Sequence, residues 1–273
     1  MNNPLRQYFR RPALYLTLPS KGEFYPEGSI EMPDNGELPV YPMTAIDEIT
    51  SKTPDALFNG SAVVEIIKSC IPAIKDPWHM PNIDIDAILV AIRAATNGSN
   101  LDLKSTCPKC ENEGSYGVDL MGLLQTIKPV DFESTIAFGE LLIKFKPLSY
   151  KQVNDLNLTQ FEAQREIMAL ESITNEDEKN SKSGEIMKKL SNMNMSLIAM
   201  TIDSISIPGE TVTDAKFIFE FLSSCDRNTF EKIRESMINL RASSTIKPQK
   251  VKCVNCSHDY EQTITLNVTD FFV

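Results

Sequence analysis

An α+β fold, mainly helical with short antiparallel strands, is what this sequence predicts, and three observations carry the prediction. Apolar residues recur at helical spacing in several long segments. Short alternating runs bounded by Gly and Pro read as strands. Two Cys-x-x-Cys pairs, Cys107/Cys110 and Cys253/Cys256, are each followed by another strand-like run.

The first forty residues are rich in Pro and Gly, and Ala13 to Leu18 alternate as a short strand before a turn at Ser20-Lys21-Gly22. Residues 1–43 are therefore expected to form an extended N-terminal arm. Phe24, Tyr25, Tyr41 and Met43 give it apolar side chains to dock on a core or on another subunit.

Residues 44–130 read as a helical region. Thr44 can cap a helix with Asp47 at its third position, and Thr53-Pro54 puts Pro at a first helical position, where a missing N–H costs nothing. Ser61 to Cys70 carries Val63, Val64, Ile66 and Ile67, and Ile85 to Thr96 repeats Ile85, Ile88, Leu89 and Ile92 before a stop at Asn97-Gly98. Arg93 is expected to be exposed or to snorkel near its helix C-terminus. Asp84 with Asp86 and Asp47 with Glu48 lie at helix starts, where the macrodipole accounts for them.

Residues 131–245 read as a hairpin plus a helical insertion. Ser134 to Lys146 places Ile136, Phe138, Leu142 and Phe145 around a Gly139-Glu140 turn. Ser149 and Gln152 form a capping-box signature for a helix running to about Glu171, and Ile186 to Ile202 is a second helix. Between them Thr174 to Gly184 is nearly all polar and reads as a solvated, mobile loop. Met187, Met193, Met195 and Met200 are expected to pack in the core. Ile205 to Pro208 suggests a strand. Thr213 and Asp226 are candidate N-caps for helices containing Phe217, Phe219, Phe221 and Leu222, then Phe230, Ile233, Met237 and Leu240.

Composition bounds the function. At 273 residues, with 42% hydrophobic and 23% charged residues, the chain can bury a sizeable core without many covalent staples. A formal charge of −10 opposes a general affinity for nucleic acid, which rests on Lys and Arg neutralising phosphates. No apolar run is long enough to span a bilayer, and the segment holding Arg6, Arg10, Arg11 and Pro12 lacks the apolar stretch of a secretory signal. The expected setting is therefore cytosolic.

Of six cysteines, Cys70 and Cys225 sit among apolar neighbours and read as buried inert thiols. The other four make the two Cys-x-x-Cys pairs, which in a reducing compartment read as metal ligands. Two tight turns each aiming two thiolates at one point complete the tetrahedral four-sulfur environment that zinc accepts. One structural Zn²⁺ held by Cys107, Cys110, Cys253 and Cys256 is the expectation. The pairs are separated by 142 residues, far beyond an ordinary zinc ribbon, so the ribbon is split across the chain and its ion pins the ends of a long insertion. Residues 246–273 then supply the second zinc knuckle and a C-terminal strand.

The two knuckles look like halves of one repeat. Lys104-Ser-Thr-Cys107-Pro-Lys-Cys110 is followed by Tyr116, Val118, Leu120 and Leu123-Leu124; Lys250-Val-Lys-Cys253-Val-Asn-Cys256 is followed by Tyr260, Ile264, Leu266, Val268 and Phe271-Phe272. His258 is expected to orient the ligand shell or to lie on the surface. Lys104, Lys109, Lys250 and Lys252 offset a site whose four thiolates and Zn²⁺ sum to −2. They also leave an alternative open, a zinc-ribbon nucleic-acid-binding or transcription-associated factor. Catalytic zinc keeps an open position, which four cysteines close. The chain holds no Gly-rich phosphate loop, Gly-x-Ser-x-Gly elbow or His-Glu-x-x-His helix and has two histidines, His79 and His258, so no enzyme is expected.

Leu16-Thr-Leu-Pro-Ser-Lys-Gly-Glu-Phe-Tyr25, Val40-Tyr-Pro-Met-Thr-Ala-Ile-Asp-Glu48 and Thr53-Pro54-Asp-Ala-Leu57, with Cys107-Pro-Lys-Cys110, resemble the baseplate hub and hub-assembly proteins of T-even-type contractile-tailed phages. The resemblance is best over residues 14–124. It implies a late-expressed structural protein or chaperone of the tail baseplate hub, acting in the host cytoplasm during assembly, with retention in the virion left open. It implies other hub or tail proteins as partners and no catalytic residues.

Overall fold

The computed structural model describes residues 4–53, 60–170 and 175–264. Pro54, Leu57, Glu171, Thr174, Leu266, Val268 and Phe271-Phe272 lie outside the described residues. The chain divides into two compact units, one of residues 1–129 with 243–273 and one of residues 130–242.

In the first unit, β1 (Leu14–Leu16) pairs antiparallel with β2 (Leu38–Val40), Leu14 opposite Val40 and Leu16 opposite Leu38. Leu16, Leu18, Leu38 and Val40 are all buried, so this part of the arm docks on its own unit's core. Helix α1 (Ala45–Ser51) starts with a full capping box: Thr44 Oγ1 accepts from the Asp47 N–H, and the Asp47 carboxylate accepts from the Thr44 N–H. Helix α2 (Ser61–Cys70) buries Val63, Val64, Ile66, Ile67 and Cys70. Helix α3 (Ile85–Asn97) ends where Gly98 takes φ 89°, a value that favours glycine. It buries Ile88, Leu89, Val90 and Ile92. Strands β3 (Asn100–Thr106) and β4 (Glu113–Asp119) form a hairpin, after which α4 (Leu120–Thr126) takes up Leu123 and Leu124, which the sequence had placed after a strand. The unit resumes with β9 (Gln249–Lys252) and β10 (Asp259–Gln262), a second hairpin. The chain leaves and re-enters this unit at one point, because the Lys128 N–H donates to the Ser243 carbonyl at 2.9 Å.

The second unit is a four-stranded antiparallel sheet in sequential order with helices. Its strands are β5 (Thr135–Phe138), β6 (Leu141–Phe145), β7 (Ile202–Ile207) and β8 (Glu210–Val212). Gly139 turns β5 into β6 at φ 63°, as the sequence predicts. Between β6 and β7 lie two helices, α5 (Tyr150–Ala169) and α6 (Glu176–Thr201). The Ser149–Gln152 capping box opens α5. The expected mobile loop is instead helical from Glu176 onward. Asn175 caps it by accepting from the Asp177 and Glu178 N–H groups, three acids sit in its first turn, and Lys182 reaches Glu178 one turn back. Ala163, Leu170 and Ile186 pack as a small separate cluster with Ile167 and Leu190.

Helix α7 (Ala215–Ser224) is capped by Asp214 rather than Thr213 and buries Ile218 and Leu222. Phe217 points to solvent, because the 3.6-residue repeat that buries Ile218 and Leu222 turns it away. Helix α8 (Arg227–Arg241) is capped by Asp226 and buries Ile233 and Met237. Met193, Met195 and Met200 are half-buried, but Met187 is exposed, next to the buried Ile186 on α6.

Candidate metal centre

Each knuckle is a turn between two strands, and the two turns are built alike. In the first, the Cys107 N–H donates to the Asn112 carbonyl at 3.0 Å and the Glu111 N–H returns to the Cys107 carbonyl at 2.9 Å. In the second, Cys253 donates to His258 and Ser257 to Cys253, both at 2.9 Å. The residue after each second cysteine, Glu111 or Ser257, takes a left-handed φ of 56° or 55°. This conformation reverses the chain so that both sulfurs of a pair face the same side of the turn.

The two turns bring their sulfurs to one place. The Sγ atoms of Cys107, Cys110, Cys253 and Cys256 all lie within 4.8 Å of one another. Cys107 to Cys256 and Cys110 to Cys253 are each 3.7 Å. An ion bound to sulfur at about 2.3 Å in a regular tetrahedron needs sulfurs about 3.8 Å apart, which these two pairs match, so the four sulfurs are close enough to share one metal ion. Cys107 and Cys253 are buried and Cys110 and Cys256 half-buried, which limits the approach of water.

Electrostatics favour a cation here. The Cys256 N–H drives the Cys253 thiol down to about 6, with the Asn255 N–H and the neighbouring thiols of Cys110 and Cys256 acting the same way. The His258 N–H lowers Cys256, but burial and the surrounding thiols of Cys110, Cys253 and Cys107 outweigh it and push that group up to about 12. Four sulfurs at this spacing cannot all be thiolates unless a cation compensates them. The Asn255 side-chain amide also donates to Cys110 Sγ at 3.7 Å, linking one knuckle to the other.

Below the knuckles, the hairpins are joined by side chains. Ser105 on β3 is buried, with its Oγ 2.9 Å from the Tyr260 hydroxyl and 2.6 Å from Gln262 Oε1 on β10. His258 stacks on Tyr260 with ring centroids 6.4 Å apart. It closes its knuckle through its backbone, in the place of Asn112. Lys104, Lys109, Lys250 and Lys252 are all exposed.

Two residues that the sequence treated as ordinary helix groups are placed otherwise. Asp84 is fully buried, and its carboxylate accepts from the Ser20 N–H at 2.8 Å, the Ser20 hydroxyl at 2.6 Å and the Tyr25 hydroxyl at 3.0 Å. It holds the arm turn rather than complementing a helix dipole. Arg93 is 7% exposed instead of snorkelling, and among the described residues its Nε and Nη1 have no hydrogen-bond partner. Arg10 is likewise held by several groups. It donates to Pro42 O and Ser69 O, both at 2.6 Å, lies 3.5 Å from the Asp47 carboxylate, and stands 5.8 Å from the centre of the Tyr41 ring. These partners are remote in sequence, so no local pattern announces them.

A family model described as T4 bacteriophage base plate protein matches residues 26–273, which include both knuckles and the whole second unit. No curated protein and no solved structure matches the chain. Among the described residues, no helix is long and apolar enough to cross a membrane.

Proposed function

The chain belongs to the T4 bacteriophage base plate protein family, and from that premise we propose that it is a non-enzymatic structural or assembly part of the tail baseplate hub, pinned by one structural zinc ion. The observation that carries this reading is the family match across the sequence that holds both cysteine pairs. Cys107, Cys110, Cys253 and Cys256 would hold the ion. Zinc supplies positive charge and a fixed crosslink, and leaves no open position for water or substrate. The crosslink joins the residues just before the second unit's departure to those just after its return. Folding of the first unit is thereby coupled to metal binding.

A part of this kind works through protein contacts, with other baseplate hub or tail proteins as partners, during assembly in the host cytoplasm. Elemental analysis of the purified protein, followed by mixing with the hub proteins and sizing, tests both halves. One zinc per chain and a discrete complex are expected. Absence of metal removes the zinc reading. Zinc without a complex, together with salt-dependent nucleic-acid binding through Lys104, Lys109, Lys250 and Lys252, shifts the assignment to the nucleic-acid alternative.

A further inference from the structure

The N-terminal segment is basic and aromatic, and it stands out in solvent. Pro4–Tyr8 form a short turn with no buried residue, and Leu5, Tyr8 and Phe9 are 61%, 77% and 57% exposed. Arg6 and Arg11 flank them, both exposed. The first 22 residues carry four basic and no acidic side chains, which leaves a formal −14 on the remainder. A single short turn has no intrinsic stability and gains little by showing two aromatic rings to water.

Arg10 fixes the root of this segment beside α1 through Pro42, Ser69 and Asp47. Helix α1 turns Asp47 and Ser51 inward, which leaves Ile46 and Ile49 facing out at 75% and 69% exposure with Glu48 beside them. A basic apolar patch thus borders, on the same unit, an apolar one that carries Glu48 with Lys52 a turn further on. Both stay exposed, although Arg10 anchors the segment right next to the helix, so the segment does not cover its own α1.

We propose that the Leu5–Arg11 segment of one chain docks on the Ile46–Glu48–Ile49 face of a second copy, and the reverse, forming a twofold dimer. Patches that are neighbours on one surface and complementary to each other are what an isologous interface requires. Tyr8 and Phe9 supply large apolar contact area over Ile46 and Ile49, while Arg6 and Arg11 meet Glu48 and the acidic body. Both contacts occur twice, which helps a short segment approach the roughly 800 Å² per partner of a standard interface. Charge favours this occupant over nucleic acid, since two exposed arginines stand against a body of formal −14.

Sedimentation equilibrium of the full chain over micromolar concentrations is the test, with circular dichroism to confirm folding. A reversible dimer is expected. Tyr8→Ala with Phe9→Ala, and separately Ile49→Glu, each weaken it by about tenfold or more. Mixing the two variants recovers association, because one intact segment then meets one intact face. Added salt weakens the wild-type dimer. A monomer throughout the range overturns the proposal, as does a dimer indifferent to both variants or a mixture no tighter than either variant alone. Binding of the segment to nucleic acid or to another tail protein without self-association also overturns it.

Discussion

Glu111 and Ser257 occupy the same place in two turns that the sequence sets far apart: each follows the second cysteine of its pair, takes a left-handed φ, and donates its N–H to the carbonyl of the first cysteine at 2.9 Å. An L-residue pays for this conformation and glycine does not. Glu111→Gly and Ser257→Gly should each stabilise the metal-loaded protein by about 0.5–1 kcal/mol. Ser257→Val, β-branched, should lower the melting temperature. Thermal denaturation of the three variants at fixed zinc checks this, and equal melting temperatures would show that the turn carries no strain.

Four ligands drawn from two distant pairs make the metal an all-or-none crosslink. Cys107→Ser and Cys253→Ser should each lose zinc and destabilise the fold, whereas Cys225→Ser, half-buried and outside the cluster, should keep one zinc per chain. Zinc content by elemental analysis and melting temperature decide the matter. Unchanged values in Cys253→Ser would sink the shared site.

Asp84 gives stability an unusual pH dependence. Burial raises its carboxyl from 3.8 to about 6, against the opposing hydrogen bonds from Ser20 and Tyr25. Between those values the folded protein binds more protons than the unfolded chain. Its contribution is therefore fully present below about pH 4, is lost as pH rises through 6, and is flat above, a span of roughly 3 kcal/mol. Asp84→Asn should remove this slope. Urea denaturation of both proteins from pH 4 to 8 measures the difference, and parallel curves would refute the assignment.

Arg93 brings a buried guanidinium with two unpaired nitrogens, and burial lowers its pKa. Replacing such a group with an apolar chain of similar length removes a desolvation cost of roughly 1–3 kcal/mol. Arg93→Met should therefore raise the melting temperature of the isolated chain. A fall would mean that the guanidinium is paired in solution.

Arg10 ties the arm to α1 and α2 with contacts that need a planar, multidentate head. Arg10→Lys should cost nearly as much as Arg10→Ala, about 1–3 kcal/mol in each case. Full rescue by lysine in a denaturation experiment would reduce the clamp to simple charge.

Local sequence determined much of this molecule, because caps and periodicity act over a few residues. The Thr44 and Ser149 capping boxes, the stop at Gly98, the Gly139 turn and the inward faces of α2 and α3 are all legible from neighbours in the chain. The spacing of Cys107, Cys110, Cys253 and Cys256 suggested shared ligation, since two identical pairs have no better local use. Tertiary structure alone decided what depends on distant partners. It drew the carboxylate of Asp84 under Ser20 and Tyr25, gathered Pro42, Asp47 and Ser69 around Arg10, and bridged Ser105 to Tyr260 and Gln262. Polar residues carry no periodic signal of their destination, so their partners appear only when the folded chain brings them within hydrogen-bond reach. The polar start of α6 is the intermediate case: its Asn175 cap and first-turn acids are local signals, but their meaning was masked by a composition that also suits a loop.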